Sequence, residues 1–378
     1  MSLDFQLMHN QARFDEIARL HGNAFNWRPQ GRIPLGIHVV DPEHARGLSY
    51  SEWLNPEPFF EYQAKVLQDT LAVGSDLLPC VAINHFGDAV LTSMFGAEQF
   101  VPDETSASLQ DVGPTPLPVF SCIEETEGME LPPLDAGIMP RVREMVSYYR
   151  DRLPDWVHVI APMPTGPFSA ALELRGFDFL TDMVETPKLS ARLIEMCARL
   201  QVEVEKDIRK LTGEPLLRHV TNFGILGAGL RLGDDSIVNL SPSMIRDFCL
   251  PAYSLINQLI DGAGHIHFCS LPHSRFEHIY MVFIEADIVS VISSQFGFEY
   301  YEKHLDELRG RLAVESFYGD ALGYVRKDHG SFVDWAGEFV PRYKDQSGLV
   351  LYCTVGSVEE GKELWSIWKK AHAFGIMH

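Results

Sequence analysis

Residues 264–269 read Gly264-His265-Ile266-His267-Phe268-Cys269, and 288–293 (IVSVIS) and 312–317 (LAVESF) follow at intervals long enough to hold a helix. Short apolar, β-branched runs of about four to eight residues read as buried strands, and strands alternating with helical segments build a parallel sheet covered by helices. The same rhythm extends in both directions. Upstream lie 35–40 (LGIHVV), 76–83 (DLLPCVAI), 157–163 (VHVIAPM) and 225–232 (ILGAGLRL), and downstream lies 349–354 (LVLYCT). Gly224, Gly227 and Gly229 make the run at 225–232 the weakest strand of the set. Between the runs, segments such as 187–211 carry Leu189, Leu193, Met196, Cys197, Leu200 and Val204 at three- and four-residue steps, the period of an amphipathic helix. Eight strands in 378 residues point to an α/β fold, a (β/α)8 TIM barrel rather than two open sheets.

The segment 5–22, with Phe14, Ile17, Ala18 and Leu20 apolar, reads as a helix laid over the bottom or side of the barrel. This divides the chain into an N-terminal helical extension, 1–30, and the barrel, 31–378. Within the barrel, 84–150 reads as a long irregular insertion, broken by Pro102, Pro114, Pro116, Pro118, Pro132 and Pro133. It is expected at the rim of the site or at a contact between two copies in a homodimer.

Composition narrows the function. Lys and Arg number 31 against 52 Asp and Glu, a formal charge of −21, which repels phosphate backbones and argues against nucleic acid as a partner. No run approaches about 18 apolar residues, so a cytoplasmic protein without membrane insertion is expected. The six cysteines are scattered and do not resemble a disulfide framework, so a special cysteine is more readily a ligand or a nucleophile.

In a barrel of this kind the reacting groups sit at the C-terminal ends of the strands. Period-two alternation puts His265, His267 and Cys269 on one face, and Cys353 near the end of the last strand is expected across the lumen from them. A neutral imidazole with two thiolates is a zinc-type ligand set with an open fourth position, so His267, Cys269 and Cys353 are candidate metal ligands. The competing reading makes both cysteines buried filler and His265 a core histidine. His273 and His278 are at best spare ligands.

Arg231-Leu232-Gly233-Asp234-Asp235 ends another run, and two adjacent carboxylates cannot both point inward. One of Asp234 and Asp235 is expected to be catalytic or substrate-binding, the other to cap the following turn. Gly166 and Phe168, where a Gly/Pro turn opens a helix, offer backbone N–H groups suited to a substrate carboxylate. A plain rigid connector explains that turn equally well. Arg231 and Tyr318 are further candidates for substrate binding. Asp76, in Gly74-Ser75-Asp76, opens a strand and on pattern alone is a turn residue.

Taken together, Pro164-x-Gly166-Pro167-Phe168-x-x-Ala171, Phe179-Leu180-x-Asp182-Met183, Pro187, Gly233-Asp234-Asp235, Leu240-Ser241-Pro242, Pro251 and His267-x-Cys269 resemble the uroporphyrinogen decarboxylase superfamily, over roughly residues 30–370. The resemblance implies the same barrel and two chemistries: cofactor-free decarboxylation of a porphyrinogen, or zinc-dependent methyl transfer between a corrinoid protein and a thiol. The arginine-rich segment that holds porphyrinogen carboxylates in the decarboxylases is largely missing around Arg32-x-Pro34 and His44-Ala45-Arg46. His267-x-Cys269, with Cys353 placed 84 residues later, is instead similar to the zinc motif of the corrinoid-linked methyltransferases. A glutamate that ligates the metal in a related pattern is absent from the strand ending Ser293-Ser294. The resemblance also implies a substrate-holding role for Asp76 and an acidic substrate contact at Asp234 or Asp235.

The leading expectation is therefore a methyltransferase with zinc as cofactor, a corrinoid as methyl donor, carried by a partner protein, and a small thiol as acceptor. A decarboxylase is the enzyme rival, and a non-catalytic protein binding a corrinoid or tetrapyrrole is the third reading.

Overall fold

Among the described residues, parallel strands form within or beside the runs that the sequence marks. The computed structural model describes residues 8–40, 55–83, 89–100, 115–160, 162, 165–217, 220–227, 229–268, 277–295, 297–317 and 331–374. Its strands are β1 (Leu35–Val39), β2 (Cys80–Ala82), β3 (Gln99–Phe100), β4 (Thr115–Pro116), β5 (His158–Ile160), β6 (Leu230–Gly233), β7 (Gly264–Phe268), β8 (Val289–Gln295), β9 (Ala313–Phe317) and β10 (Leu349–Val355). Six of them make one parallel sheet in the order β1-β10-β9-β8-β7-β6. β2 and β5 form a separate parallel pair, and β3 and β4 an antiparallel ribbon. A parallel bridge from Thr165 to Gly233, with the Gly166 N–H donating to the Gly233 carbonyl at 2.6 Å, ties the segment after β5 to β6. Beside β1, the Asp76 N–H donates to the Leu35 carbonyl at 3.1 Å. The fold is thus mixed α/β around a parallel central sheet of six strands.

The two faces of the sheet follow from alternation. Leu349, Leu351, Cys353 and Val355 of β10 join Leu35, Ile37 and Val39 of β1 in the main apolar core under the helices. Val350 and Tyr352 point the opposite way and pack with Phe25, Leu77, Val291, Ala313 and Phe317 on the inner face. Gly36 permits this inner packing, because a Cβ there would lie 2.2 Å from Cδ2 of Leu77.

The helix Pro187–Thr212 shows how the outer layer forms. Proline opens it, Gly213 closes it at φ +75°, and Leu193, Ile194, Cys197, Leu200, Val204 and Ile208 bury one stripe. No helix among the described residues is long and apolar enough to cross a membrane.

Three expectations need correction. The N-terminal helix is Gln11–Phe25, shifted because the Asn10 side chain caps it by accepting from the Arg13 N–H. The run expected at 225–232 narrows to Leu230–Gly233, since Gly224 adopts φ +69° and residues before it form a turn closed by a Val220–Leu226 bridge. Finally, the insertion 84–150 is not irregular throughout. Met139–Arg150 is a helix whose Met139, Val142, Met145, Val146 and Tyr149 are fully buried, so this part belongs to the helical layer and not to a rim.

Candidate active site

The parallel sheet presents all C-terminal strand ends at one edge, and a polar cluster lies on the face opposite the main apolar core. Gly233, His267, Ser293, Glu315 and Val350 occupy one row across β6, β7, β8, β9 and β10. Arg231 and His265 lie one step lower on the same face. Among apolar neighbours such as Phe25, which sets its ring edge-on to His265 at 6.0 Å, these polar groups are almost fully shielded from water.

Burying them demands mutual satisfaction. The Arg231 guanidinium donates to Ser293 Oγ at 3.2 Å, Glu315 Oε1 at 3.5 Å and Asn222 Oδ1 at 3.3 Å. Ser293 Oγ donates to Glu315 Oε1 at 3.0 Å and lies 3.0 Å from His267 Nδ1. His265 Nε2 is 3.3 Å from Glu315 Oε2. Burial pushes the Glu315 carboxyl upward, opposed by Arg231 and Ser293. Burial, reinforced by Arg231, holds the His267 imidazole well below its ordinary value, so it is neutral near pH 7. His267 Nε2 in turn stands 3.9 Å from Oδ1 of Asp235, whose side chain is half exposed beyond the end of β6.

The adjacent aspartates divide, Asp234 buried and Asp235 half exposed. Asp234 is fully buried and accepts from the Ser169 N–H at 2.8 Å, Ser169 Oγ at 2.6 Å, the Phe168 N–H and Tyr253 Oη at 2.5 Å. Burial raises its pKa against these donors. It sits on the first turn of the helix Pro167–Arg175, where orphan N–H groups and the helix dipole favour an anion. The anion expected there from a substrate is the protein's own. A Cβ on Gly166 would come within 2.2 Å of the Asp234 carboxyl carbon, so this glycine makes room for the cap. Phe168 is buried against Phe179 in the outer core. Gly166, Phe168 and Asp234 thus each have a structural role, Asp234 as the cap of that helix, Gly166 as the room for it and Phe168 in the core.

Asp76 is also placed elsewhere. It lies at the N-terminal edge, where its carboxylate takes a two-pronged contact from Arg32, a 3.0 Å contact from Arg13 and the Leu35 N–H at 3.2 Å. The His21 ring bonds the Asp76 carbonyl at 2.9 Å and accepts from the Leu226 N–H at 3.1 Å. This is a clasp that ties the N-terminal helix to the start of β1.

Two of the three expected zinc ligands, His267 and Cys353, lie on opposite faces of the sheet. Cys353 pairs with Ile37 in the outward-facing row, is 2% exposed, and has its thiol pushed up to about 12 by burial. His267 faces the other way. No group of three metal-binding side chains occurs among the described residues. Cys269, Tyr318 and His273 lie outside the described residues, and His278 bonds the Leu240 carbonyl at 3.3 Å on the outer layer.

Sequence reasoning missed Ser293, Glu315 and His38. Glu315 carries the clearest signal of the three, as the one charged residue in the run 312–317. His38 pairs with Thr354 on the inward-facing row of β1, and burial lowers it to about 4.

No protein-family model matches the chain, and no curated protein sequence matches it. Among solved structures, a methyltransferase from Methanosarcina mazei superposes with a TM-score of 0.67 at 14% identity, over 93% of this chain and 97% of that one. At this identity the likeness is one of fold, and it spans nearly the whole of both chains.

Proposed function

We propose that the protein is a methyltransferase acting at the C-terminal mouth of an eight-stranded barrel, with His267 and Asp235 at the reaction centre. The carrying observation is the pair of His267 Nε2 and Asp235 Oδ1 at the strand ends, 3.9 Å apart, above a fully buried Arg231–Glu315 base. Support comes also from the near full-length fold likeness to a protein named as a methyltransferase.

The chemistry follows from what these side chains do. A thiol acceptor gives its proton to His267 Nε2, and the thiolate sulfur attacks the methyl carbon. A carbon–sulfur bond forms, the bond from carbon to its donor breaks, and the electron pair of that bond stays on the donor. Asp235 stabilises the imidazolium as it appears. Burial and Arg231 lower the His267 pKa, so the imidazole is unprotonated at rest, and the carboxylate of Asp235 beside Nε2 has to offset its weakened basicity when the proton arrives. In this reading the donor is a methylated corrinoid presented by a partner protein. No step passes through zinc, since the ligand set expected for it is split between two faces.

The decarboxylase reading loses ground on one observation. The aspartate it needs near the substrate, Asp76, is locked to two arginines at the opposite edge. The direct test incubates the protein with methylcobalamin and a panel of small thiols, and separately with uroporphyrinogen. Methyl thioether formation supports the proposal; consumption of uroporphyrinogen without thioether overturns it.

A further inference from the structure

We infer that Ser293 and Glu315 are positioning residues that fix the tautomer of His267, so that Nδ1 carries the proton and Nε2 is left as the acceptor at the mouth. Arg231 is 3% exposed, carries only donors and does not lose its charge, so it requires an anion beside it. Glu315, with no exposure and Oε1 3.5 Å from Arg231 Nη2, supplies that charge. The same Oε1 accepts from Ser293 Oγ at 3.0 Å.

A serine hydroxyl has one proton and two lone pairs. Its proton is committed to Glu315, so Ser293 Oγ acts as acceptor toward its other neighbours. One of these is Arg231 Nη2 at 3.2 Å, which can only donate. The other is His267 Nδ1 at 3.0 Å, which must then donate as well. A neutral imidazole has a single N–H, so Nε2 bears the lone pair. Reversing the tautomer would set two lone pairs against each other at Nδ1 and Oγ, or withdraw the hydroxyl proton from a buried carboxylate, and either leaves a buried polar group unsatisfied.

Neither Ser293 nor Glu315 faces the mouth as Asp235 does. They act through His267, the way the third member of a catalytic triad orients its histidine. The assignment rests on the proposed methyl transfer only for its kinetic consequence. The tautomer itself stands apart from any activity.

The experiment therefore has two arms. Nitrogen NMR of protein labelled with ¹⁵N-histidine, with His267 identified by the signal missing in His267→Asn, should show Nδ1 protonated and Nε2 unprotonated at pH 7. Ser293→Ala should shift His267 toward Nε2 protonation, and Ser293→Thr, which keeps the hydroxyl, should restore the original pattern. Glu315→Gln provides a second perturbation of the same proton if Ser293→Ala is poorly folded. In the kinetic arm, thiol methylation should fall about 10²-fold in Ser293→Ala and recover in Ser293→Thr, with KM for the thiol little changed. Nε2 protonation in the wild type, or a tautomer unmoved in Ser293→Ala and Glu315→Gln, overturns the inference. A protein that transfers no methyl group yet shows the predicted NMR pattern refutes the proposed function and leaves this inference standing.

Discussion

His267 and Cys353 lie on opposite faces of one parallel sheet. His267 belongs to the inward row it shares with Ser293 and Glu315, and Cys353 pairs with Ile37 beneath the helices. A ligand set that looks convergent when strand ends are counted is divided by the two-residue period of the strand.

Cys353→Ala should therefore leave metal content, whatever its value in the wild type, unchanged. It should cost about 1–2 kcal/mol of stability, the scale of a small truncation in a packed core. Metal analysis alongside urea unfolding checks both expectations, and loss of bound zinc in this variant would put Cys353 back at the site.

The two adjacent aspartates should separate cleanly. Asp234→Ala strips the Ser169 N–H, its hydroxyl and Tyr253 Oη of their acceptor, and should destabilise by about 2–4 kcal/mol. Asp235→Asn, at a half-exposed position, should leave the unfolding midpoint within about 0.5 kcal/mol and lower thiol methylation by about 10²-fold. Equal stability of the two variants would contradict the division of roles.

Asp76→Asn should behave as a structural lesion. It weakens the contacts from Arg13 and Arg32 and should cost about 2–3 kcal/mol, while kcat of the folded fraction stays near wild type. A loss of kcat at full folding would return Asp76 to the chemistry.

Stability should fall on mild acidification. His21 is fully buried, and burial lowers it from its ordinary 6.5 to about 4. The unfolded chain therefore takes up a proton that the native state refuses, and stability is lost as pH falls from about 6.5 toward about 4. Between pH 7 and pH 5 this one group accounts for about 2 kcal/mol. Urea midpoints measured at both values should show that loss in the wild type and a smaller one in His21→Gln. Equal losses in the two proteins would remove His21 as the cause.

Much of the framework is legible in the chain itself, and the reasons for the misses are physical. β-branched runs marked the strands because a strand buried on both faces must be apolar throughout, and β7, β8, β9 and β10 appear within a residue or two of expectation. The helix Met139–Arg150 was hidden by the prolines around it, although Met139, Val142, Met145, Val146 and Tyr149 carry the right spacing. At the site, alternation correctly put His265 and His267 on one face. It fails for Cys353 because the facing of one strand relative to another depends on register, which single-strand periodicity does not contain. Asp76 misled because a short β2 begins only at Cys80, leaving the aspartate at the wrong edge. Glu315 and Ser293 carry no motif, and only the ladder pairing reveals that they underlie His267.

The most direct test of the account is the rate of thiol methylation from methylcobalamin in the wild type and in His267→Asn. The wild type should form methyl thioether, and the variant, folded and of similar stability, should form it about 10²–10⁴-fold more slowly, the range expected when a positioned base is removed. Equal rates in the two proteins, or no thioether from the wild type with any thiol tried, would contradict methyl transfer at this mouth.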